Sequence, residues 1–456
     1  MTQPSDMIAV LRATFDSQKT RPLDWRRGQF IRLQAMIADN EAAIDAALRA
    51  DLGKSGFEAR MTETGTVLSE ISHTLRHLKD WMKPAKVSTP LSNQPGYSRI
   101  IHEPLGVVLI IAPWNYPVNL TLMPLIGAIA AGNCAVVKPS EIAANTARLL
   151  GRLIPAYLDP DAVRVIEGGA ETSTALLGQR FDHIFFTGSE AIGRIVMTAA
   201  ARHLTPVTLE LGGKSPAIVH NDSDLALAAR RVAWGKFLNA GQTCIAPDYV
   251  LVQETVRDAF VAELKNSIEA FFGHAPKASP DYPRLVSERH FDRVKELMAG
   301  CEIAFGGETD RASKYIAPTV LTGVDPDAAV MREEIFGPVL PVLTYRSIDD
   351  AIGFITARPK PLALYLFSTS HDVQDQVMAR TSSGGACIND VVMHLAVPEL
   401  PFGGVGVSGM GAYHGRASFD TFSHAKSVLT KSEHLDVPLR YPPFTKGKLR
   451  WLKRLQ

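Results

Sequence analysis

The sequence has no excess of either charge: 48 Lys and Arg stand against 47 Asp and Glu, a formal net of +1. A nucleic-acid binder shows a basic surplus gathered on one face, so that class finds no support. Cysteine is scarce. Cys134, Cys244, Cys301 and Cys387 lie far apart and no pair has CxxC spacing, so a reducing compartment is expected rather than a disulfide framework. Met1 to Ala9 is polar and holds no apolar signal core, which points to a cytoplasmic protein. The most apolar region, Val107 to Val137, is interrupted by Pro113, Asn115, Pro117, Pro124 and Asn133. A membrane span needs about 20 mostly apolar residues, so this stretch reads as buried strands and a helix. HExxH, GxSxG and Walker sequences are absent. His73 and His77 stand four apart without the intervening Glu, and no metal is expected. Gly403-Gly404 and Gly409-Met410-Gly411 make a Gly-rich stretch without the Lys-Ser/Thr of a phosphate loop.

What is present is enough chain, 456 residues at 46% hydrophobic, to bury more than one core, so two or three lobes are expected. From Asp6 to Met82 the pattern is helical. Apolar residues recur three and four apart in Trp25–Met36 and Asn40–Asp51. Pro84 to Gly96 is a Pro, Ser and Asn connection. From Val107 short apolar runs alternate with helix-length segments. Strands are expected at 107–112, 134–138, 163–167 and 183–187, with helices at 119–131, 141–154 and 172–178. Such doubly apolar strands belong to a parallel sheet covered on both faces, the doubly wound dinucleotide architecture. A second α/β series follows Gly213, with strands at 217–219, 249–252, 318–321, 339–343 and 364–367 and helices at 225–237, 255–272, 288–298, 348–356 and 373–381. The tail from Lys446 to Gln456 is basic, with Leu449, Leu452 and Leu455 spaced three apart. A solvated or subunit-packed tail is the commoner outcome for such a segment, and contact with an anionic membrane the rarer one.

Five segments could carry chemistry. In Asn239-Ala-Gly-Gln-Thr-Cys244-Ile-Ala-Pro247 a cysteine follows a helix in a Gly- and Pro-containing turn. Such a turn can point backbone N–H groups at the sulfur and favour thiolate; the plainer alternative is a small buried hydrophobe. Leu209-Glu210-Leu211-Gly212-Gly213-Lys214 places a glutamate at an apolar strand, where burial raises a carboxyl toward the range of a general base. A capped structural Glu is the alternative. Phe185-Phe-Thr187-Gly188-Ser189-Glu190-Ala-Ile-Gly193 is strand, Gly-Ser, helix: a natural phosphate seat that meets the GxGxxG fingerprint only in part. Pro113-Trp114-Asn115-Tyr116-Pro117 ends a strand, and its amide could donate to an oxyanion or simply serve the turn. Lys138-Pro-Ser-Glu141 ends the next strand, where the lysine reaches ribose hydroxyls or solvent.

Read together and in order, with Glu333-Glu334-Ile-Phe336-Gly-Pro and Pro401-Phe402-Gly-Gly…Ser408-Gly409, these segments resemble the aldehyde dehydrogenase superfamily. The resemblance covers about residues 100 to 425. It is nearest the class 3 branch of fatty-, aromatic- and coniferyl-aldehyde enzymes, on the strength of His203-Leu-Thr-Pro-Val-Thr-Leu-Glu210, Cys244-Ile-Ala-Pro-Asp-Tyr249, Gly409-Met-Gly-Ala-Tyr-His-Gly415 and Ser418-Phe-Asp-Thr-Phe-Ser423. It implies an α/β fold with a Rossmann-type cofactor domain (1–82 and 104–211), an α/β catalytic domain (212–395), and a small β oligomerisation flap with bridging segments and tail (83–103 and 396–456). By the same resemblance Cys244 is the nucleophile, Asn115 the oxyanion donor and Glu210 the base for thioester hydrolysis. Trp114, Lys138, Glu141, Gly188, Ser189, Gly193, Leu211, Glu334 and Phe336 fall at the cofactor, NAD with NADP use open. Tyr116, Leu120, Trp234 and Phe402 would line a tunnel for aromatic or medium- to long-chain aldehydes, and a homodimer is implied. The alternatives are an acylating enzyme that uses coenzyme A, a phosphate-dependent or reductive relative, and a nucleotide-binding protein that has lost catalysis. Glu210 argues against the first, and the retained Cys244, Glu210 and Asn115 against the last.

Overall fold

The computed structural model describes residues 4–455. Met1 to Gln3 of the polar N-terminus, the Leu455 side chain and Gln456 of the tail lie outside the described residues. The described residues build two large sheets and two small ones.

The first large sheet has six strands, in spatial order 409–410, 207–210, 183–187, 107–111, 134–138, 163–165. Val107–Ile111, Cys134–Lys138 and His183–Thr187 are buried along their whole length. Helices on both faces cover such strands and leave only parallel pairing. Strand order reverses at Val107–Ile111. The chain moves outward from it to 134–138 and 163–165, then returns to pair 183–187 on its other side. That reversal opens a crevice at the carboxyl ends of the strands, the usual ligand seat of an open α/β sheet. Helix Asn119–Ala131 lies beneath it and is buried nearly all round. At Gly127 a Cβ would come within 2.9 Å of both Phe422 and Ser418, so the glycine lets helix Gly415–Thr421 dock closely on this helix.

The second large sheet has seven strands, in order 302–305, 319–322, 339–345, 249–253, 216–219, 363–367, 385–388. Its two outer strands are half-exposed and were not anticipated, because an edge strand lacks the doubly apolar run that marks a central one. The chain leaves the first sheet at the carboxyl end of Val207–Glu210 and enters the second at the amino end of Pro216–Val219. The five residues between therefore lie in the gap between the sheets.

Residues Ala85–Val87, Gly96–Pro104 and Ser423–Lys431 form a separate antiparallel three-stranded sheet; the expected connection at 84–96 thus contains a strand. Segment 396–456 does more than bridge: Gly409–Met410 adds the edge strand beside Glu210 in the first sheet. Helices 4–16, 23–39, 41–52 and 65–81 make up the N-terminal layer. The helix expected at 141–154 begins at Ala144 and runs to Tyr157, because Glu141 stays in the preceding turn, paired to Lys138. The tail forms helix Lys446–Leu455, with Leu449, Trp451 and Leu452 exposed. Among the described residues no helix is long and apolar enough to cross a membrane.

Candidate active site

Glu210 ends its strand with 2% of its surface exposed, backed by the antiparallel pair with Gly409. Neither carboxyl oxygen has a hydrogen-bond partner. Desolvation alone pushes its pKa well above the ordinary 4.5, so burial favours the protonated form over the charged one.

Cys244 sits across the gap, in the turn ahead of strand Tyr249–Gln253. The approach to it is a constrained segment. Asn239 and Ala240 both hold φ of +51° and Gly241 +75°. A Cβ at Gly241 would lie 2.2 Å from the Gly337 carbonyl oxygen, which fixes this turn against the 333–338 segment. Phe336, Val392 and His414 also have positive φ, so backbone strain gathers around the cysteine. The turn was expected to favour thiolate, and here the structure corrects the expectation. The Cys244 and Ile245 amides do lower the thiol pKa, but burial outweighs them and the carboxyls of Glu334 and Glu210 add to the rise. Burial therefore favours the thiol over the thiolate here.

Asn115 is 3% exposed. Its side-chain amide donates to the Gln242 carbonyl at 3.0 Å, two residues before the cysteine. Its own carbonyl accepts from Asn239 Nδ2 at 2.8 Å and Lys54 Nζ at 3.1 Å. The Tyr116 hydroxyl meets Thr243 Oγ1 at 2.5 Å. The Pro113–Pro117 loop of the first sheet and the cysteine turn of the second are thus one hydrogen-bonded unit.

Cys244 and Glu210 line one cavity of 220 Å³, walled by Tyr116, Leu120, Trp234, Leu238, Phe402 and Tyr413, with Met61, Thr62, Thr66, Met393 and His414 farther round. All four expected tunnel residues are on it. Met61, Thr243, Tyr413 and His414 had no expected role. Tyr413 and His414 belong to a quoted segment, and the antiparallel bridge Phe402–Tyr413 carries them to the wall.

Of the residues assigned to a dinucleotide, Trp114, Lys138, Glu141, Gly188, Ser189 and Leu211 end or follow strands of the first sheet, Gly193 lies on the helix after Ser189, and Glu334 and Phe336 come from the segment ahead of strand Val339–Tyr345 of the second. Ser189 starts helix Glu190–Ala201 without a side-chain cap bond, which leaves its first-turn N–H groups free for an anion. At Gly188 a Cβ would meet the Phe186 ring at 2.5 Å, and at Gly193 the Leu211 side chain at 2.8 Å. Lys138 Nζ and Glu141 Oε2 pair at 2.5 Å at the end of the neighbouring strand. Glu334 lies over the Glu210–Lys214 link, where a Cβ on Gly212 would come within 2.1 Å of its carboxyl. Burial and the Asp248 charge raise its pKa to about 8. Trp114 and Phe336 meet edge to face at 5.3 Å. These residues fit the cofactor: an uncapped helix N-terminus for pyrophosphate, and carboxylates at each end for ribose hydroxyls. Lys236, on helix Leu225–Phe237, was not anticipated. It is fully buried with Nζ unpartnered, and desolvation lowers its pKa to about 8. Among the described residues no group of His, Cys, Asp and Glu could hold a metal.

A cysteine and an unpartnered carboxyl on one cavity, beside a dinucleotide crevice, define an oxidoreductase of the aldehyde dehydrogenase class. The chain belongs to that family: the model described as "Aldehyde dehydrogenase family" matches residues 3–428. It is 52% identical over 449 residues to aldehyde dehydrogenase family 3 member A2 of Rattus norvegicus, covering 98% of this chain and 93% of the relative. It is 51% identical over 445 residues to the "dimeric NADP-preferring" aldehyde dehydrogenase of the same species, covering 97% and 98%. The substrate-bound structure of AldH from Staphylococcus aureus superposes with a TM-score of 0.97 at 48% identity, over 100% of this chain and 99% of the other. The protein is an NAD(P)-dependent aldehyde dehydrogenase of the class 3 type.

Proposed function

We propose that this enzyme oxidises aromatic and medium- to long-chain aliphatic aldehydes to carboxylic acids, through a thioester on Cys244 that Glu210 hydrolyses. The observation that carries this reading is the shared cavity of Cys244 and Glu210, with both Glu210 oxygens unpartnered. The aldehyde lies against Tyr116, Leu120, Trp234 and Phe402. The thiol loses its proton to solvent as the sulfur bonds to the carbonyl carbon and the C=O pair moves onto oxygen. The oxyanion so formed is received by the second N–H of the Asn115 side-chain amide and by the Cys244 backbone N–H. When bound, oxidised NAD(P) supplies the hydride acceptor and a positive ring charge that eases ionisation of the thiol. Loss of hydride from the former carbonyl carbon leaves the acyl thioester. Glu210, once its own proton has passed to solvent, takes a proton from a water that attacks the acyl carbon, the C–S bond breaks with the electron pair going to sulfur, and the acid leaves.

NAD is the preferred cofactor in this reading, because the Glu141 carboxylate repels a 2′-phosphate. The "NADP-preferring" relative and the Lys138 ammonium beside Glu141 keep NADP in use as well. A coenzyme A acceptor is not favoured, since transfer to a thiol needs no water-activating base. The enzyme works as a homodimer in the cytoplasm. A relative named dimeric and the exposed Val87, Tyr97 and Leu429 of the three-stranded sheet support the first, and four free cysteines the second. The tail helix is solvated or packed on the other subunit. Liposome sedimentation lost on deleting residues 446–456 would instead show membrane contact. The test of the main reading is reduction of NAD and NADP with benzaldehyde and a C6 to C16 aldehyde series, with and without coenzyme A. Turnover independent of coenzyme A is expected. Inactivity across the series would refute it.

A further inference from the structure

The mechanism uses the Asn115 side chain but gives no reason for what lies behind it. Lys54 and Glu63 form an ion pair at 2.6 Å with neither side chain exposed at all. Removing two charges from water costs several kcal/mol per ion, and two apolar residues of the same size often serve stability better. The location of this pair gives it a use. Lys54 Nζ donates to the Asn115 carbonyl at 3.1 Å and stands 4.0 Å from the centre of the Tyr116 ring. The second Glu63 oxygen accepts the amides of Val118 at 3.0 Å and Asn119 at 2.8 Å. One ion pair from the N-terminal layer therefore holds residues 115 and 116 of the loop that carries the oxyanion donor and residues 118 and 119 at the start of the helix that follows it.

The hold continues toward the cysteine. Asn239 Nδ2 donates to the same Asn115 carbonyl and, at 3.1 Å, to the Gln242 carbonyl. The Asn239 amide is itself fixed by Glu58 Oε1 at 2.9 Å. We infer that Lys54 is a positioning residue for aldehyde oxidation: paired to Glu63, it anchors the Asn115 peptide so that the side-chain amide stays on the oxyanion. Its effect passes through Asn115 and through no contact with substrate or cofactor. The inference rests on Asn115 being the oxyanion donor.

The test is a mutant cycle on steady-state kcat and KM. Lys54→Met with Glu63→Gln keeps volume and removes both charges of the pair together. In the native background it is expected to lower kcat roughly 10-fold, since small misplacement of a reacting group costs that much or more, with KM for NAD unchanged. In the Asn115→Ala background the same pair of changes is expected to alter kcat less than about two-fold, because the amide it positions is gone. Losses that multiply in the two backgrounds, or a native-background kcat within two-fold of the parent, would overturn the inference. Should the double variant not fold, Lys54→Arg keeps the pairing with Glu63 but displaces the donor from the Asn115 carbonyl, and the same pattern is expected at about three-fold. The Asn115→Ala enzyme alone separates the two ideas: full activity there would refute the oxyanion reading itself, whatever Lys54 does.

Discussion

Asn115 follows strand Val107–Ile111 and Glu210 ends strand Val207–Glu210, with strand His183–Thr187 between them in the same sheet; they are buried to almost the same degree, 3% and 2%, yet they are treated in opposite ways. The Asn115 carbonyl and one arm of its side-chain amide are engaged, by Lys54, Asn239 and Gln242. Glu210 has nothing on either oxygen. The difference matches two kinds of work. A dipole that stabilises a transient charge acts by holding still, so its surroundings are satisfied and fixed. A base must exchange protons with a substrate-side water, so its oxygens are left open and its pKa is raised by dry surroundings. The open group costs stability, and the fixed one does not.

This contrast can be broken at four points. The largest effect is at the residue both groups serve: Cys244→Ala should lower kcat by about 10⁴-fold or more, and near-parental turnover would remove the nucleophile assignment. Glu210→Gln should leave the first turnover intact, as a burst of about one reduced cofactor per site, and slow the steady state by about 10²- to 10⁴-fold; loss of the burst itself would give Glu210 an earlier role. Asn115→Ala should slow the burst by about 10²- to 10³-fold.

The smallest effect sharpens the comparison most. A carboxyl whose folded pKa lies above its unfolded value of 4.5 keeps a proton that the unfolded chain releases. Stability is therefore lost as pH rises from the unfolded toward the folded pKa. Glu210→Gln should accordingly raise the melting temperature at pH 8 more than at pH 5. Asn115→Ala, which empties a satisfied site, should lower it equally at both. A Glu210→Gln enzyme no more stable than its parent at pH 8 would mean that the carboxyl is hydrated and ionised at rest.

The parts of this molecule legible in the sequence are those that repeat a local rule. Doubly apolar strands such as Val107–Ile111 announce a covered parallel sheet. The short segments around Asn115, Glu210 and Cys244 keep their chemistry within a few residues of one another. What was not legible depends on docking. Lys54 and Glu63 are ordinary charged residues in a helical region, and only the packing of that region on 115–119 buries them. Lys236 lies on a helix whose neighbours give no sign that this position faces the interior. The thiolate expectation failed for a related reason: the amides of the turn are local, but the dryness and the two carboxyls that oppose them come from other elements. Gly409–Met410, legible as a Gly-rich stretch and as part of a family motif, gave no sign of being the sheet edge behind Glu210.

That last pairing reaches across the sequence, joining Gly409 to Glu210, while Ser423–Lys431 returns to Gly96–Pro104. A chain emerging from the ribosome can form strands 107–210 early, but the sheet edge beside Glu210 stays open until residues 409–410 are made. For about two hundred residues of synthesis the nascent protein thus carries a sticky, incomplete border, and a stop before residue 409 is expected to leave a product fit for chaperone capture or aggregation rather than a weaker enzyme.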